Sequence, residues 1–364
     1  MQKKRKVLMA MSGGVDSSVA AALLLRAGYE VVGVTMQLWT SDEQAISSET
    51  ACCSLSAVED ARRVAQKLGI PYYVLNFKGL FQEKVIDYFI DEYLLGKTPN
   101  PCIACNKYVK FDALLTKARA LELDYVATGH YAKVFFDESK QRYMIAKAKD
   151  KNKDQTYVLY NLTQDQLQHT LMPLGNYTKP EIRQIAAELG FSVANKPESQ
   201  EICFVSDNNY RRFIKENSAE EIKPGFFYDT KGNVLGQHQG IPFYTIGQRK
   251  GLGIALGYPV YVIDIVPEKN AIILGKLEEL EGNRLISENN NFILFDQLRD
   301  TMQVTAKVRY KAEEVKATIS PGENEGQVEV ILHEPQFAIT PGQAVVFYNN
   351  ELVVGGGTIK KKLG

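Results

Sequence analysis

Four short apolar runs, each followed by a helix-length segment of mixed polarity, constrain the fold of this chain more than any other feature. The runs are 6–11, 30–36, 71–76 and 124–129, and helices are predicted over 16–27, 55–69, 79–95 and 111–122. Within 55–69 the residues Leu55, Val58, Ala61, Val64, Ala65 and Leu68 recur three and four apart, which places them on one helical face. Gly69 stops that helix and Pro71 opens the next run. Strands that are apolar almost throughout leave no face for water. The alternation therefore predicts an α/β fold, a Rossmann-like parallel sheet covered by helices on both sides. A further helix is expected over 178–189, with Thr178 as its cap, Pro180 in its first turn and Gly190 as its terminator.

The character changes near residue 210, where glycine and proline become dense and no helical period follows. Tyr261–Val266 and Ala271–Leu274 flank the polar stretch Pro267–Asn270, a hairpin signature. Val304–Tyr310, Gln327–Leu332 and Ala344–Tyr348 read as further short strands, and Lys360-Lys361-Lys362 as a solvated tail. Short strands at this spacing suggest small β-barrels. The expected division is a catalytic α/β domain over 1–210, a small glycine-rich β middle domain over 211–283 and a C-terminal β-barrel over 284–364.

Composition excludes several classes. No apolar run is long enough to cross a bilayer, so no membrane association is expected. Lys3-Lys4-Arg5-Lys6 leads into the run Val7–Met11, which is too short for a secretory core and reads as a buried strand. Five cysteines (52, 53, 102, 105 and 203) are an odd number spread over 364 residues, which suits thiols in a reducing, cytoplasmic setting rather than a disulfide scaffold. Cys52 and Cys53 read as inert core residues. The formal net charge is zero, so a nucleic-acid partner would need the basic residues gathered on one face.

Ser12-Gly13-Gly14-Val15-Asp16-Ser17-Ser18 joins the first strand to the first helix. Its glycines permit a sharp turn and close approach to phosphate oxygens. Backbone N–H groups at the helix start, with the dipole behind them, hold an anion, and three serine hydroxyls add donors. No Gly-Lys-Ser/Thr follows, so this is not the loop of ordinary kinases and GTPases. The plain alternative is a glycine turn with a serine cap. Asp16 suits either a helix cap or a magnesium ligand. The run resembles the pyrophosphate loop of the ATP pyrophosphatases, which cleave between the α and β phosphates and transfer AMP.

Thr98-Pro99-Asn100-Pro101-Cys102-Ile103-Ala104-Cys105-Asn106 reads as a proline-stiffened loop carrying a Cys-x-x-Cys pair, with Lys107 and Lys110 near enough to favour a thiolate. Cys203 lies far downstream in Ser199–Phe204. Inert packing, half a zinc site and a redox pair are the competing readings; a structural zinc site would need four ligands.

These segments, with Met36–Trp39, Ala127–Tyr131, Lys153–Gln155 and Thr245–Gly253, occur in one order, and together they resemble the bacterial tRNA-specific 2-thiouridylases over essentially the whole chain. The resemblance implies ATP-dependent thiolation of C2 of the wobble uridine, position 34, in tRNAs for Lys, Glu and Gln. Sulfur would arrive as a persulfide from a cysteine desulfurase or sulfur-relay protein. Adenylation would convert the C2 oxygen, a hopeless leaving group, into part of AMP; a sulfur nucleophile would then displace it.

The resemblance also implies roles for individual residues. Cys203 would carry the persulfide and Cys105 would be the second catalytic thiol. Ala10, Met11, Ser12, Gly13, Gly14, Val15, Asp16, Ser17, Met36 and Gly129 would bind ATP with its magnesium. Asn100, Pro101 and Cys102 would meet the target base, which must leave its stack to be reached. His130, Lys153, Asp154, Gln155, Arg309, Tyr310 and Gln343 would contact tRNA. One departure stands out: the best-known members have an aspartate where this chain has Cys102. A thiol, with a reference pKa of about 8.5 against about 3.9, does not inherit a carboxylate role. Cys102, Cys105 and Cys203 could instead ligate a 4Fe–4S cluster with one open iron, and the sequence leaves both arrangements open.

Overall fold

The structure, a computed structural model, describes residues 4–39, 55–197, 202–205 and 207–363. It combines a parallel-sheet α/β domain, a β-rich middle segment and a closed C-terminal barrel. Contacts divide the chain into two compact units: Met1–Val85 with Cys102–Asn208 and Glu351–Val353, and Ile86–Pro101 with Asn209–Asn350 and Val354–Gly364. Residues 86–101, which lie in sequence between segments of the first unit, group with the second.

In the first unit, β1 (Lys6–Ala10) lies between β2 (Glu30–Gln37) and β4 (Tyr125–Ala127), parallel to both. β3 (Tyr72–Asn76) flanks β2, and Thr170–Leu171 flanks β4. The alternation of β1 explains the layering. Val7 and Met9 point into a core with Val15, Val19 and Ala22 of α1 (Val15–Arg26), Ala61 and Val64 of α2 (Leu55–Leu68), and Ile182 and Ala186 of the helix Lys179–Glu188. Leu8 and Ala10 face the opposite core with Leu114, Leu115 and Ala118. A strand buried on both faces is what the near-continuous apolar runs required. The hairpin Lys133–Asp137 and Arg142–Ala146 belongs to the same unit, and Leu352 pairs with Ala146.

In the second unit, four strands take the order Tyr261–Val266, Ala271–Gly275, Gly225–Asp229, Val234–His238. The first two form the expected antiparallel hairpin, turned by Asn270 at φ 44°. The C-terminal strands close into a barrel because Glu281–Phe292 pairs with both Val328–Phe337 and Leu352–Leu363. Its core holds Leu285, Ala306, Ala317, Val330, Val345 and Phe347.

Three expectations need correction. Cys102 and Cys105 do not sit in a loop: Pro101–Ala104 is helical and runs into the π-helical stretch Cys105–Ala113 and then Leu114–Ala120. Asn100 is kept out of the helix by the proline after it, whereas Pro101 suits the first helical position, where a missing N–H costs nothing. Second, helical structure does not end at 210, since Tyr210–Asn217 is a helix capped by the Asn209 side chain. Third, Lys360–Lys362 is part of a barrel strand; Lys362 Nζ donates to the carbonyls of Glu279 and Glu281. Cys52 and Cys53 lie outside the described residues.

Candidate active site

β1 and β4 are sheet neighbours, yet the chain leaves β1 toward β2 on the other side. Such a reversal opens a crevice beyond the carboxyl ends of the strands, where ligands of doubly wound sheets bind. The Ser12–Ser18 loop follows β1 into that crevice and Thr128–Tyr131 follows β4.

Gly13 turns at φ 72°, and a Cβ there would lie 2.2 Å from the carbonyl oxygen of Ala57 in α2. Both demands select glycine. α1 starts after Gly14 with no side-chain cap. The hydroxyls of Ser17 and Ser18 donate to the Gly14 carbonyl at 3.2 and 2.8 Å, and the Ser12 N–H donates to Ser17 Oγ at 3.1 Å. The loop is thus braced from within, while Ser12 stays exposed and the positive end of a 12-residue helix stands behind it.

Asp16 caps nothing. Its carboxylate accepts the Tyr131 hydroxyl at 2.7 Å and pairs with Lys179 Nζ, 2.7 Å from each oxygen. Lys196 Nζ donates to the Gly13 carbonyl at 3.3 Å and pairs with Asp60 at 2.7 Å. Sequence reasoning missed both lysines, because each meets the loop from more than 160 residues downstream and neither spacing nor composition signals it.

Gly129 does more than turn the chain. A Cβ there would lie 2.8 Å from Ser17 N and 3.0 Å from the carbonyl carbon of Asp16, so its bareness lets the β4 loop press on the first turn of α1. Ala10, Met11 and Val15 are buried, with Met11 Sδ against Gly33, so only their backbones can reach a nucleotide. Met36 is partly buried against the Leu8 core.

His130 is buried, bonded through Nδ1 to Thr128 Oγ1 at 2.7 Å and packed 5.8 Å from the Phe111 ring. Burial, and secondarily the charge of Lys110, holds its pKa well below the ordinary imidazole value. The ring is thus enclosed within its own unit, 8% exposed. Asp154 and Gln155 also turn inward: Asp154 accepts from the Ala148 N–H and Thr156 Oγ1, and Gln155 Oε1 accepts from the Tyr131 N–H at 2.9 Å. Lys153 between them is half-buried at the surface.

All three described cysteines belong to the first unit and are thiols, with Cys102 exposed, Cys105 buried and Cys203 half-buried. Beside Cys105, Asn106 is 1% exposed; its Nδ2 donates to the Val158 carbonyl at 2.9 Å, and its Oδ1 is buried with no hydrogen-bond partner. Phe204, next to Cys203, packs edge-on against Phe81 at 5.8 Å. Among the described residues, no three His, Cys, Asp or Glu side chains gather as a metal site.

In the second unit, Gln343 Nε2 donates to the Thr98 carbonyl at 2.7 Å, and the Thr98 N–H donates to the Pro341 carbonyl at 2.9 Å. The barrel turn thereby holds the segment that leads through half-buried Asn100 and buried Pro101 to the cysteine helix. Arg309 and Tyr310 are exposed. A cleft of about 880 Å³ in this unit is lined by Arg211, Arg212, Lys215, Glu220, Glu221 and His238, a mixed-charge set without thiol or phosphate loop. Among the described residues, no helix is long and apolar enough to cross a membrane.

Comparison with known proteins gives a consistent picture. The family model described as "tRNA methyl transferase HUP domain" matches residues 5–207, "tRNA methyl transferase PRC-barrel domain" matches 211–276, and "Aminomethyltransferase beta-barrel domain" matches 283–359. The chain is 60% identical over 364 residues to the tRNA-specific 2-thiouridylase MnmA 2 of Caldanaerobacter subterraneus subsp. tengcongensis, covering 100% of both chains. It is equally similar, 60% over the same length and coverage, to MnmA 1 of Thermoanaerobacter sp.. To the tRNA-specific 2-thiouridylase of Clostridioides difficile it is 58% identical over 363 residues, with 100% of each chain covered.

Proposed function

The chain belongs to the tRNA-specific 2-thiouridylase family, and from that premise we propose that it uses ATP to replace the C2 oxygen of uridine 34 in tRNA with sulfur. The observation that carries this reading is the presence in one compact unit of a phosphate loop at the sheet's switch point and of the thiols Cys102, Cys105 and Cys203. A methyl transfer, the wording of the family models, would give neither feature a task.

In the first step the uracil O2 attacks the α-phosphorus of ATP. A P–O bond forms, the α–β bridge breaks, and pyrophosphate leaves with the charge that the Ser12–Ser18 loop and α1 stabilise. Magnesium supplied with ATP would screen the phosphates; Asp16 is the one carboxylate of the loop, already held by Lys179 and Tyr131. In the second step the terminal sulfur of a Cys203 persulfide attacks C2, and AMP departs with the former uracil oxygen. Cys105 as thiolate then attacks Cys203 Sγ. That forms a Cys105–Cys203 disulfide and releases the 2-thiouridine, and an external thiol reductant restores both cysteines. Cys102 lies one helical turn before Cys105 on the same helix, at the surface where the base would arrive. Asn100 and Pro101 would bracket that base, and Lys153, Arg309 and Tyr310 would meet the RNA. The sulfur would come from a cysteine desulfurase or relay protein, the tRNAs would be those for Lys, Glu and Gln, and the setting would be the cytoplasm.

The test separates the two halves of the reaction. Cys203→Ser should abolish 2-thiouridine in tRNA digests analysed by mass spectrometry, yet leave tRNA-dependent pyrophosphate release intact. Thiolation that survives this substitution would refute the persulfide role; absence of pyrophosphate release by the wild type would refute the adenylating role.

A further inference from the structure

The peptide joining Gly13 to Gly14 lies between two residues that carry no side chain to hold its plane. The serines brace the loop on either side of it: Ser17 and Ser18 donate to the Gly14 carbonyl, and Ser17 accepts the Ser12 N–H. None of these bonds involves the Gly13 carbonyl or the Gly14 N–H. That carbonyl is held instead from 183 residues downstream, by Lys196 Nζ at 3.3 Å. The same ammonium lies 2.7 Å from Asp60 Oδ2 in α2.

Two elements aim this ammonium. Arg183, in the helix Lys179–Glu188, donates to the carbonyls of Ala194 and Lys196 at 2.6 and 3.2 Å, which fixes the backbone from which the lysine extends. Asp60 then draws the charged end against the loop. The two side chains keep 23% and 20% of their exposure, and an ion pair so open to water contributes little as a staple. Its reach to a backbone carbonyl has a sharper consequence. The peptide is trans, so its C=O and N–H point to opposite sides. Turning the Gly13 oxygen toward Lys196 turns the Gly14 N–H away from it. Among the described residues that N–H donates to no backbone carbonyl, and it stands at the start of α1, where the helix dipole favours an anion.

We propose that Lys196 is a positioning residue of the ATP site. Its ammonium holds the Gly13–Gly14 peptide in the orientation that presents the Gly14 N–H to a phosphate oxygen, of ATP on the way in and of pyrophosphate on the way out. Without it the peptide turns between its two glycines, and the loop offers the anion a carbonyl as readily as an N–H. The inference rests on the reading of Ser12–Ser18 as an ATP loop.

The experiment is calorimetric titration of the full chain with ATP, pyrophosphate and AMP, for the wild type, Lys196→Met, Lys196→Arg and Asp60→Asn. Loss of a hydrogen bond to a charged group predicts affinity for ATP and pyrophosphate lower by about tenfold or more in Lys196→Met, with AMP changed by less than about threefold. Lys196→Arg, which keeps a charged donor, should recover most of the difference. Asp60→Asn breaks the ion pair but leaves the ammonium its carbonyl, so its ATP affinity should stay within about threefold of the wild type. Unchanged ATP and pyrophosphate affinity in Lys196→Met would overturn the proposal, as would equal losses in Lys196→Met and Asp60→Asn, the signature of a staple. Glycine carrying ¹³C at its carbonyl and ¹⁵N gives a direct readout, because carbonyl-to-amide correlations then arise only from Gly-Gly bonds, at 13–14 and within 355–357. The 13–14 signal, assigned by its loss in Gly14→Ala, should move when pyrophosphate is added and should be displaced in Lys196→Met, while those of 355–357 stay. Should Lys196→Met not fold, Lys196→Arg serves instead: the changed donor should displace the 13–14 signal alone, and a stationary signal would sink the proposal. A wild type that binds neither ATP nor pyrophosphate would overturn the loop reading and this inference with it.

Discussion

Gly129→Ala isolates the steric coupling between the β4 loop and the phosphate loop. The backbone at 129 is not in the left-handed region, so alanine suffers no conformational strain there. The added methyl, however, would meet Ser17 N at 2.8 Å, the Asp16 carbonyl carbon at 3.0 Å and Ser17 Cα at 3.1 Å. All three are backbone atoms in the first turn of α1, so no side chain can swing aside. Overpacking of this kind costs about 1–3 kcal/mol, relieved only by moving one loop away from the other. The same shift displaces the N–H groups that would hold phosphate. Affinity for ATP should therefore fall together with stability. Gly79→Ala is the control, since a Cβ there meets nothing within 4 Å and its helix should gain about 0.5–1 kcal/mol. Urea denaturation and ATP titration of both variants read the two effects. If Gly129→Ala is as stable as the wild type and binds ATP equally well, the close approach does not shape the site.

Asn106→Ala strips the Val158 carbonyl of its buried donor, a loss of about 1–3 kcal/mol softened by removing the partnerless Oδ1; the thiolation rate should fall while ATP affinity holds, and an unchanged single-turnover rate would refute the link to Cys105. Gln343→Ala should raise amide hydrogen exchange across 97–101, because Thr98 loses its side-chain anchor; unaltered protection would show that the barrel turn does not hold this segment. The depressed pKa of His130 means that the unfolded chain binds more protons near and below the ordinary imidazole value. Stability should therefore drop as pH falls through about 6.5, and urea midpoints at pH 7.5 and 5.5 should converge in His130→Gln. Filter binding should show tRNA affinity falling steeply between 50 and 200 mM salt, by about tenfold or more, and a flat profile would remove phosphate contacts from the account.

The legible parts of this chain are those whose signals are local. The glycines and serines of 12–18 mark a turn before a helix, and the positive φ of Gly13 and the bonds within the loop are consequences of those same residues. β1, β2 and β4 were readable because burial leaves apolar runs, whereas β3 was readable although Tyr73 and Val74 stay exposed. The barrel strands were harder. Glu281–Phe292 buries only alternate positions and reads as polar, and Leu352–Leu363 carries glycines and lysines that resemble a tail. Those glycines answer to a distant partner, since a Cβ at Gly355 would lie 2.3 Å from the Asn291 carbonyl oxygen. Lys179 and Lys196 were invisible for the same reason: their partners are fixed only by folding. Cys102 and Cys105 were found by type, but two flanking prolines disguised the helix that carries them.

Folding also supplies a connection that no motif suggests. Asp16 of the phosphate loop accepts from the Tyr131 hydroxyl, and the Tyr131 N–H donates to Gln155 Oε1 while the Gln155 N–H returns to the Tyr131 carbonyl. The Val158 N–H donates to the Gln155 carbonyl, and the Val158 carbonyl receives Nδ2 of Asn106, the neighbour of Cys105. Each link is an ordinary hydrogen bond worth about 1 kcal/mol net, but the chain of them is buried or half-buried throughout, where an unmade bond costs more than a made one contributes. A two-step reaction needs this kind of framework: the phosphorus that accepts the uracil oxygen and the sulfur that expels it must address the same carbon. Residues 154–158 are then better understood as the frame between loop and thiol.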